Sequence, residues 1–202
     1  MPRFDSDRLV VATHNAGKLR EIDELLSPFG LKVLSAGELG LEEPKETEDT
    51  FIGNARIKAH FAARAAGLPA LSDDSGLMVD ALKGAPGVYT ADWAETENGR
   101  DFYMAMGKVH DELLRLDAQK PWAARFCATL CLAWPDGRDE IFEGHVEGEL
   151  TWPVRGKNGF GFDPMFVPNG HDETFGEMDP ARKHAMSHRS VAFSKLVEHC
   201  FA

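Results

Sequence analysis

The sequence predicts an α/β fold built on a mixed sheet, with two lobes. Three observations carry this reading. An apolar strand-like run (RLVVAT, residues 8–13) passes through a small-residue turn into an amphipathic helix. A second helical stretch hands over to another strand near Pro69. A long alternating segment, residues 123–134, turns back on itself at Pro135-Asp136-Gly137. The first two are the strand–helix alternation of parallel neighbours, and the third reads as an antiparallel pair.

Each element follows from local pattern. Residues 8–13 are short and apolar enough for a buried strand, and His14-Asn15-Ala16-Gly17 interrupts them. Over residues 18–29, Leu19, Ile22, Leu25, Leu26 and Phe29 share one helical face, and Gly30 supplies the stop. Residues 32–34 are a candidate second strand, and residues 37–49 (GELGLEEPKETED) are acidic and irregular. Thr50 caps a second helix over 50–66, stopped by Gly67. Gly53 stands where a glutamate would complete a capping box, and a helix-interior glycine costs about 1 kcal/mol relative to alanine. Residues 69–72 predict a short strand delivering Asp73 and Asp74 at its end. A third helix is expected over 97–116, despite Gly99 and Gly107. Phe126, Ala128, Leu130, Leu132 and Trp134 share one strand face, and residues 138–146 pair back after the turn. Asp179-Pro180 opens a short helix, and Ser187 caps a last one reaching about Cys200. With no internal repeat or long linker, residues 1–202 read as one domain with two lobes.

Composition narrows the function classes. The chain is 43% hydrophobic and 27% charged, ample for a core. A formal net charge of -11 argues against a nucleic-acid or anionic-membrane binder, since both need a cationic face. It leaves room for a small anionic ligand in a local basic pocket. The start, MPRFDSDRLVVAT, carries only a short apolar run, and no later run nears the roughly 20 apolar residues of a membrane span. Cys127 and Cys131 would share a strand face about 13 Å apart, too far to bridge. With Cys200 they are an odd set of thiols without histidines at zinc spacing, as expected of a reducing cytoplasm.

Four constellations could carry chemistry. In THNAGK, residues 13–18, a strand, a tight turn and a helix start offer backbone N–H groups, the helix dipole and Lys18 to an anion. It is no Walker A loop, because the leading glycine is missing and Leu19 stands where Ser or Thr would hold magnesium. An ordinary strand-to-helix turn with a surface lysine would look the same. In Ser72-Asp73-Asp74-Ser75-Gly76, two adjacent carboxylates at a strand end repel each other, which a divalent cation between them would offset. One could then hold metal while the other takes a proton from water; the bland alternative is an Asx turn of solvated acids. In the acidic loop (Glu42, Glu43, Glu46, Glu48, Asp49) most members are solvated surface, with one free to reach a metal. The fourth set is Gly159, Phe160, Gly161, Phe162 and Asp163, then Lys183, His188 and Arg189. Glycines around an aromatic admit a flat ligand, and the basic residues could hold phosphate or donate to a base carbonyl. Core phenylalanines beside a helix terminus are the competing explanation. Taken together, the four are the parts of a nucleotide hydrolase.

The same residues carry a resemblance. Through VVATHNAGKLREI, ETEDTFIGNARIKA, LSDDSGLMVDALKGAPGVYTADWA, NGFGFDPMFVP and the closing Lys183, His188 and Arg189, the chain resembles the inosine triphosphate pyrophosphatase family, the Ham1 or RdgB-like noncanonical purine nucleoside triphosphatases. The resemblance implies a two-lobed α/β protein with a long mixed sheet flanked by helices, an active site in the cleft between the lobes, and a homodimer. It implies Mg²⁺-dependent conversion of ITP, dITP and XTP to the monophosphate plus pyrophosphate, in the cytoplasm. Carried over residue by residue, Thr13, His14, Asn15, Ala16, Gly17 and Lys18 form the phosphate loop. Asp74 is the proton acceptor and a metal ligand, with Glu46, or its neighbour Glu43, and Asp73 as further metal-site positions. Ser75 adjoins them. Phe160, Gly161, Phe162 and Asp163 bind the base, and Lys183, His188 and Arg189 complete the substrate contacts. Gly53 departs from a glutamate common in the family, and His14 from a smaller residue.

The expected reaction is attack of an Asp74-activated water on the α-phosphorus, with a pocket that selects a 6-oxo purine. A Maf-like pyrophosphatase of other nucleotides and a nucleotide sensor without turnover are the rival readings. A substrate panel separates them.

Overall fold

The computed structural model describes residues 4–201; the first three residues of the opening stretch and Ala202 lie outside them. In chain order the elements are β1 (Arg8–Val11), α1 (Ala16–Leu26), β2 (Lys32–Ser35), α2 (Phe51–Ala66), β3 (Ala70–Val79), β4 (Glu95–Thr96), β5 (Gly99–Arg100), α3 (Phe102–Arg115), β6 (Trp122–Ala133), β7 (Asp139–Leu150), β8 (Phe166–Pro168), α4 (Pro180–Met186) and α5 (His188–Cys200). The large sheet has the order β2-β1-β3-β6-β7-β8. It is mixed, because β1 runs parallel to β2 and β3 while β7 and β8 are antiparallel. The expected fold class holds.

The chain divides into two compact units. One runs to Asp74 and takes in Ala128–Gly144 and the chain from Arg189; the other comprises Ser75–Cys127 and His145–His188. In the first, strand alternation sorts side chains onto two faces. Leu9, Val11, Leu71 and Leu130 pack with Ile22 and Leu26 of α1 and Phe193 and Leu196 of α5. Val10, Ala70 and Cys131 pack with Ala55, Ala59, Ala62 and Ala63 of α2. The alanine stripe lets α2 lie close to the sheet. In the second unit, Leu77, Val79, Phe126, Phe162, Phe166 and Phe175 form a core with Ala105, Val109 and Leu113 of α3.

Two boundaries differ from the sequence reading. The strand expected over 69–72 runs on to Val79, so Asp73 and Asp74 lie inside β3 and not at its end. Ser75-Gly76 does not break it, because β3 is enclosed on both faces and the sheet sets the backbone there. The helix expected over 97–116 starts only at Phe102, capped by Asp101, whose side chain accepts from the Met104 N–H at 2.9 Å. The residues before it form the β4–β5 hairpin, whose second strand opens on Gly99 at φ 107°. Cys127, Cys131 and Cys200 are free thiols. Among the described residues no helix is long and apolar enough to cross a membrane.

Candidate active site

The first unit assembles a charged cluster around β3. Alternation turns Asp73 toward the α1–α5 face and Asp74 toward the α2 face, so one cation does not sit between them. Each has its own cationic partners. Asp73 is buried, with Oδ1 2.8 Å from Lys18 Nζ and Oδ2 2.7 Å from Arg189 Nε. Arg189 is 1% exposed, and its Nη1 also donates to Glu21. Burial alone would raise the Asp73 pKa, but the Arg189 and Lys18 charges outweigh it and hold that carboxyl well below its usual range. Both Asp73 oxygens are therefore engaged by cations.

Asp74 differs in kind. Oδ1 accepts from Lys58 Nζ at 2.8 Å, and Lys58 also donates to Glu46 Oε1 at 2.6 Å. Oδ2 is buried and has no hydrogen-bond partner among the described residues. Burial pushes the Asp74 pKa up, and Lys58 and Lys18 only partly counter it. Of the loop acids, Glu46 is the one that reaches Lys58. Its loop is tied to α2, where the buried Asn54 accepts the Glu48 N–H through Oδ1 at 3.0 Å. On β3, the Ser72 hydroxyl donates to the Ala55 carbonyl at 2.6 Å, fixing helix against strand beside Asp74.

The THNAGK turn begins α1 as expected. Asn15 caps the helix, accepting from the Gly17 and Lys18 N–H groups at 2.9 and 3.0 Å, and its own N–H donates to Thr13 Oγ1 at 3.1 Å. Two of the amides expected to face an anion are thus held by the Asn15 side chain. Thr13 is buried, Ala16 is exposed, and His14 Nε2 lies 2.9 Å from the Leu41 carbonyl, linking the turn to the start of the acidic segment. Burial lowers the Lys18 pKa, with Asp73 opposing.

The second unit holds the remaining predicted residues. Asp163 Oδ2 accepts from Lys183 Nζ at 2.7 Å and from the Phe160 N–H at 2.8 Å. Lys183 Nζ lies 4.8 Å from the Phe160 ring centroid. Gly159, at φ 74°, makes this fold-back possible, since a Cβ there would lie 2.0 Å from Asp163 Oδ2. Gly161 shares the left-handed conformation at φ 65°. Phe160 is half-buried, whereas Phe162 is 1% exposed and packs edge-on against Phe102 in the core. Of the two aromatics expected at a base, Phe160 keeps an accessible ring and Phe162 serves packing. His188 stacks on Phe126 at 5.0 Å, and Ser75 is partly buried on β3. A cavity of about 930 Å³ in this unit, lined by Leu82, Tyr89, Trp93 and Lys108 among others, contains none of the predicted residues, so volume does not locate the chemistry.

The Ham1 family profile matches residues 9–199. This chain belongs to the Ham1 family. A "dITP/XTP pyrophosphatase" of Ruegeria pomeroyi is 64% identical over 98% of the chain and 97% of its own length. One from Agrobacterium fabrum is 56% identical over 99% of each. The solved structure of a HAM1 protein from Coxiella burnetii superposes with a TM-score of 0.87 at 38% identity, covering 95% of this chain and 96% of that one.

Among Ham1 motifs, two side chains escaped the sequence reading. Lys58 stands on the buried stripe Asn54, Ala55, Lys58, Ala59, Ala62, Ala63 of α2. A lysine at helical spacing among buried alanines is a legible signal, since lysine is rarely buried without a partner. Glu21 gave no such signal, because its partner Arg189 is 168 residues away in sequence.

Could these residues hold a divalent metal? Among the described residues no group of three or more His, Cys, Asp or Glu side chains forms a metal cage. The unpaired Asp74 Oδ2, with Glu46 reaching the same lysine, instead makes an oxygen-only pair. That suits a hard cation which keeps several waters and substrate oxygens.

Proposed function

We propose that this chain is a nucleoside-triphosphate pyrophosphatase that converts the noncanonical purine nucleotides dITP, XTP and ITP to their monophosphates plus pyrophosphate. The observation that carries it is 64% and 56% identity, over nearly the full length, to two proteins named dITP/XTP pyrophosphatase. Asp74 is the proton acceptor. Its raised pKa and unpaired Oδ2 suit a base that takes a proton from water. The water oxygen then bonds to the α-phosphorus, the bond to the α–β bridging oxygen breaks, and pyrophosphate departs with that oxygen. Lys18 presents positive charge to the triphosphate, while Lys58 is held on Asp74 and Glu46. Arg189 fixes Asp73, and Asp73 fixes Lys18, so that the lysine is presented in one geometry. Asp74 and Glu46 would hold Mg²⁺, which neutralises phosphate charge when bound. Asp73 is assigned the counter-ion role.

Phe160 offers its ring to the base, with Lys183 and Asp163 fixing the segment. Donors near His188 suit a 6-oxo group. Adenine would leave such donors unpaired, a mismatch that can discriminate by roughly 10⁴ to 10⁵. The resemblance to this family also leads us to expect a cytoplasmic homodimer that does not bind nucleic acid. Pyrophosphate release from dITP, XTP and ITP against ATP and GTP, with Mg²⁺ present, tests the reading. A strong preference for the first three supports it.

A further inference from the structure

Lys58 is unusually placed for a phosphate ligand. Its side chain is 7% exposed, and its ammonium lies 2.6 Å from Glu46 Oε1 and 2.8 Å from Asp74 Oδ1. A lysine awaiting an anionic ligand would be expected to reach into solvent. This one is turned back onto two carboxylates from different segments, an exposed loop and the middle of β3. Without it, the buried Asp74 carboxylate would face the exposed Glu46 carboxylate with no cation between them. A compact ammonium with three donors can serve both carboxylates at once.

We propose that Lys58 is an internal stand-in for the divalent cation. In the free enzyme its ammonium occupies the charge position between Glu46 and Asp74, and it must release Asp74 Oδ1 before a divalent metal can bind there. Metal and lysine thus compete for the same carboxylate oxygens. This inference rests on the reading that Glu46 and Asp74 hold the metal. Lys58 gives the loop carrying Glu46 a second tie to α2, beside the Glu48–Asn54 hydrogen bond. It also sets an order of events. Metal alone binds weakly, because it must evict a cation that has nowhere better to go. A triphosphate supplies the evicted ammonium with a new anionic partner, so metal and nucleotide bind as a cooperative pair. The long flexible lysine stem allows the exchange without moving α2.

The test uses Mn²⁺ as probe on nucleotide-free protein, with bound and free Mn²⁺ separated by electron paramagnetic resonance. Lys58→Met and Lys58→Gln should bind Mn²⁺ at least about ten-fold more tightly than the wild type, because a like charge has left the site. Lys58→Arg, which keeps the charge, should stay near the wild type. If wild type binds Mn²⁺ and both neutral variants bind it equally or more weakly, the stand-in role is overturned while the metal site stands. If no form binds Mn²⁺, the metal reading falls and this inference with it. Should the neutral variants fail to fold in metal-free buffer, recovery of folded protein by excess Mn²⁺ is the outcome expected of a replaceable cation. Failure to recover would contradict it.

Discussion

Two adjacent residues of one strand show how local environment divides chemical labour. Asp73 and Asp74 have the same side chain, are both buried, and have opposite pKa directions: burial is outweighed by Arg189 and Lys18 at Asp73, and outweighs Lys58 and Lys18 at Asp74. The linkage signs are therefore opposite. Asp73, depressed in the fold, contributes stability that is present above the unfolded carboxyl pKa and is lost as pH falls through its folded value. Asp74, raised in the fold, costs stability while ionised, and that cost is relieved as pH falls through its folded value. Asp74→Asn should thus lower kcat by at least about 100-fold, as expected for loss of a general base, while its unfolding midpoint at neutral pH stays level or rises. Turnover by the wild type should decline on the acid side at a pH above that of an ordinary aspartate, and a kcat/KM profile checks this. Arg189→Ala leaves a buried carboxylate with one partner fewer. Breaking such a pair costs about 3–5 kcal/mol, measurable by urea unfolding, and a loss below 1 kcal/mol would contradict the Asp73 assignment.

At the scale of elements, caps and apolar periodicity made most of the fold legible. Thr50 caps α2 by accepting the Gly53 N–H at 3.1 Å, and Gly67 ends that helix at φ 63°. What local pattern could not reach was set by distant contacts. Ser75-Gly76 has the composition of a turn, yet β3 continues through it because the surrounding sheet leaves no room for one. Gly53 looked like a defect in a capping box. A Cβ at this position would lie 2.5 Å from Glu48 Cβ, so the glycine lets the acidic loop lie against α2. Gly53→Glu should then push Glu48, and Glu46 two residues before it, away from Lys58. Activity and Mg²⁺ affinity should fall together, with little change in the KM for nucleotide at saturating metal. A variant as active as the wild type would show that loop and helix tolerate separation. The candidate site was legible wherever a motif is contiguous, as in residues 13–18 and 159–163. It was not legible for Glu21, which needs the fold to bring α5 beside α1.

Across the whole molecule, net charge and local charge point in different directions. The chain carries -11 overall, yet Lys18, Lys58 and Arg189 converge on two buried aspartates in one unit. On the proposed function, the triphosphate would be repelled at long range and held by these few desolvated cations at short range. Each compact unit carries its own part of the predicted machinery. The first has the phosphate turn, Glu46, Lys58, Asp73, Asp74 and Arg189, and the second has Ser75, Phe160, Asp163, Lys183 and His188. Phe160→Ala, in the second unit, should therefore raise KM and weaken purine selectivity with a smaller effect on kcat than Asp74→Asn. Sedimentation equilibrium should return twice the 22.3 kDa chain mass if the expected homodimer forms.

On the proposed function, this chain hydrolyses noncanonical purine triphosphates with Asp74 as base. Pyrophosphate release from dITP, XTP, ITP, ATP and GTP, compared at equal concentration with Mg²⁺ for the wild type and Asp74→Asn, tests it most directly. Strong preference for the first three, with release lost in the variant, is the expected result. A flat profile across the five, or release that survives Asp74→Asn, would contradict it.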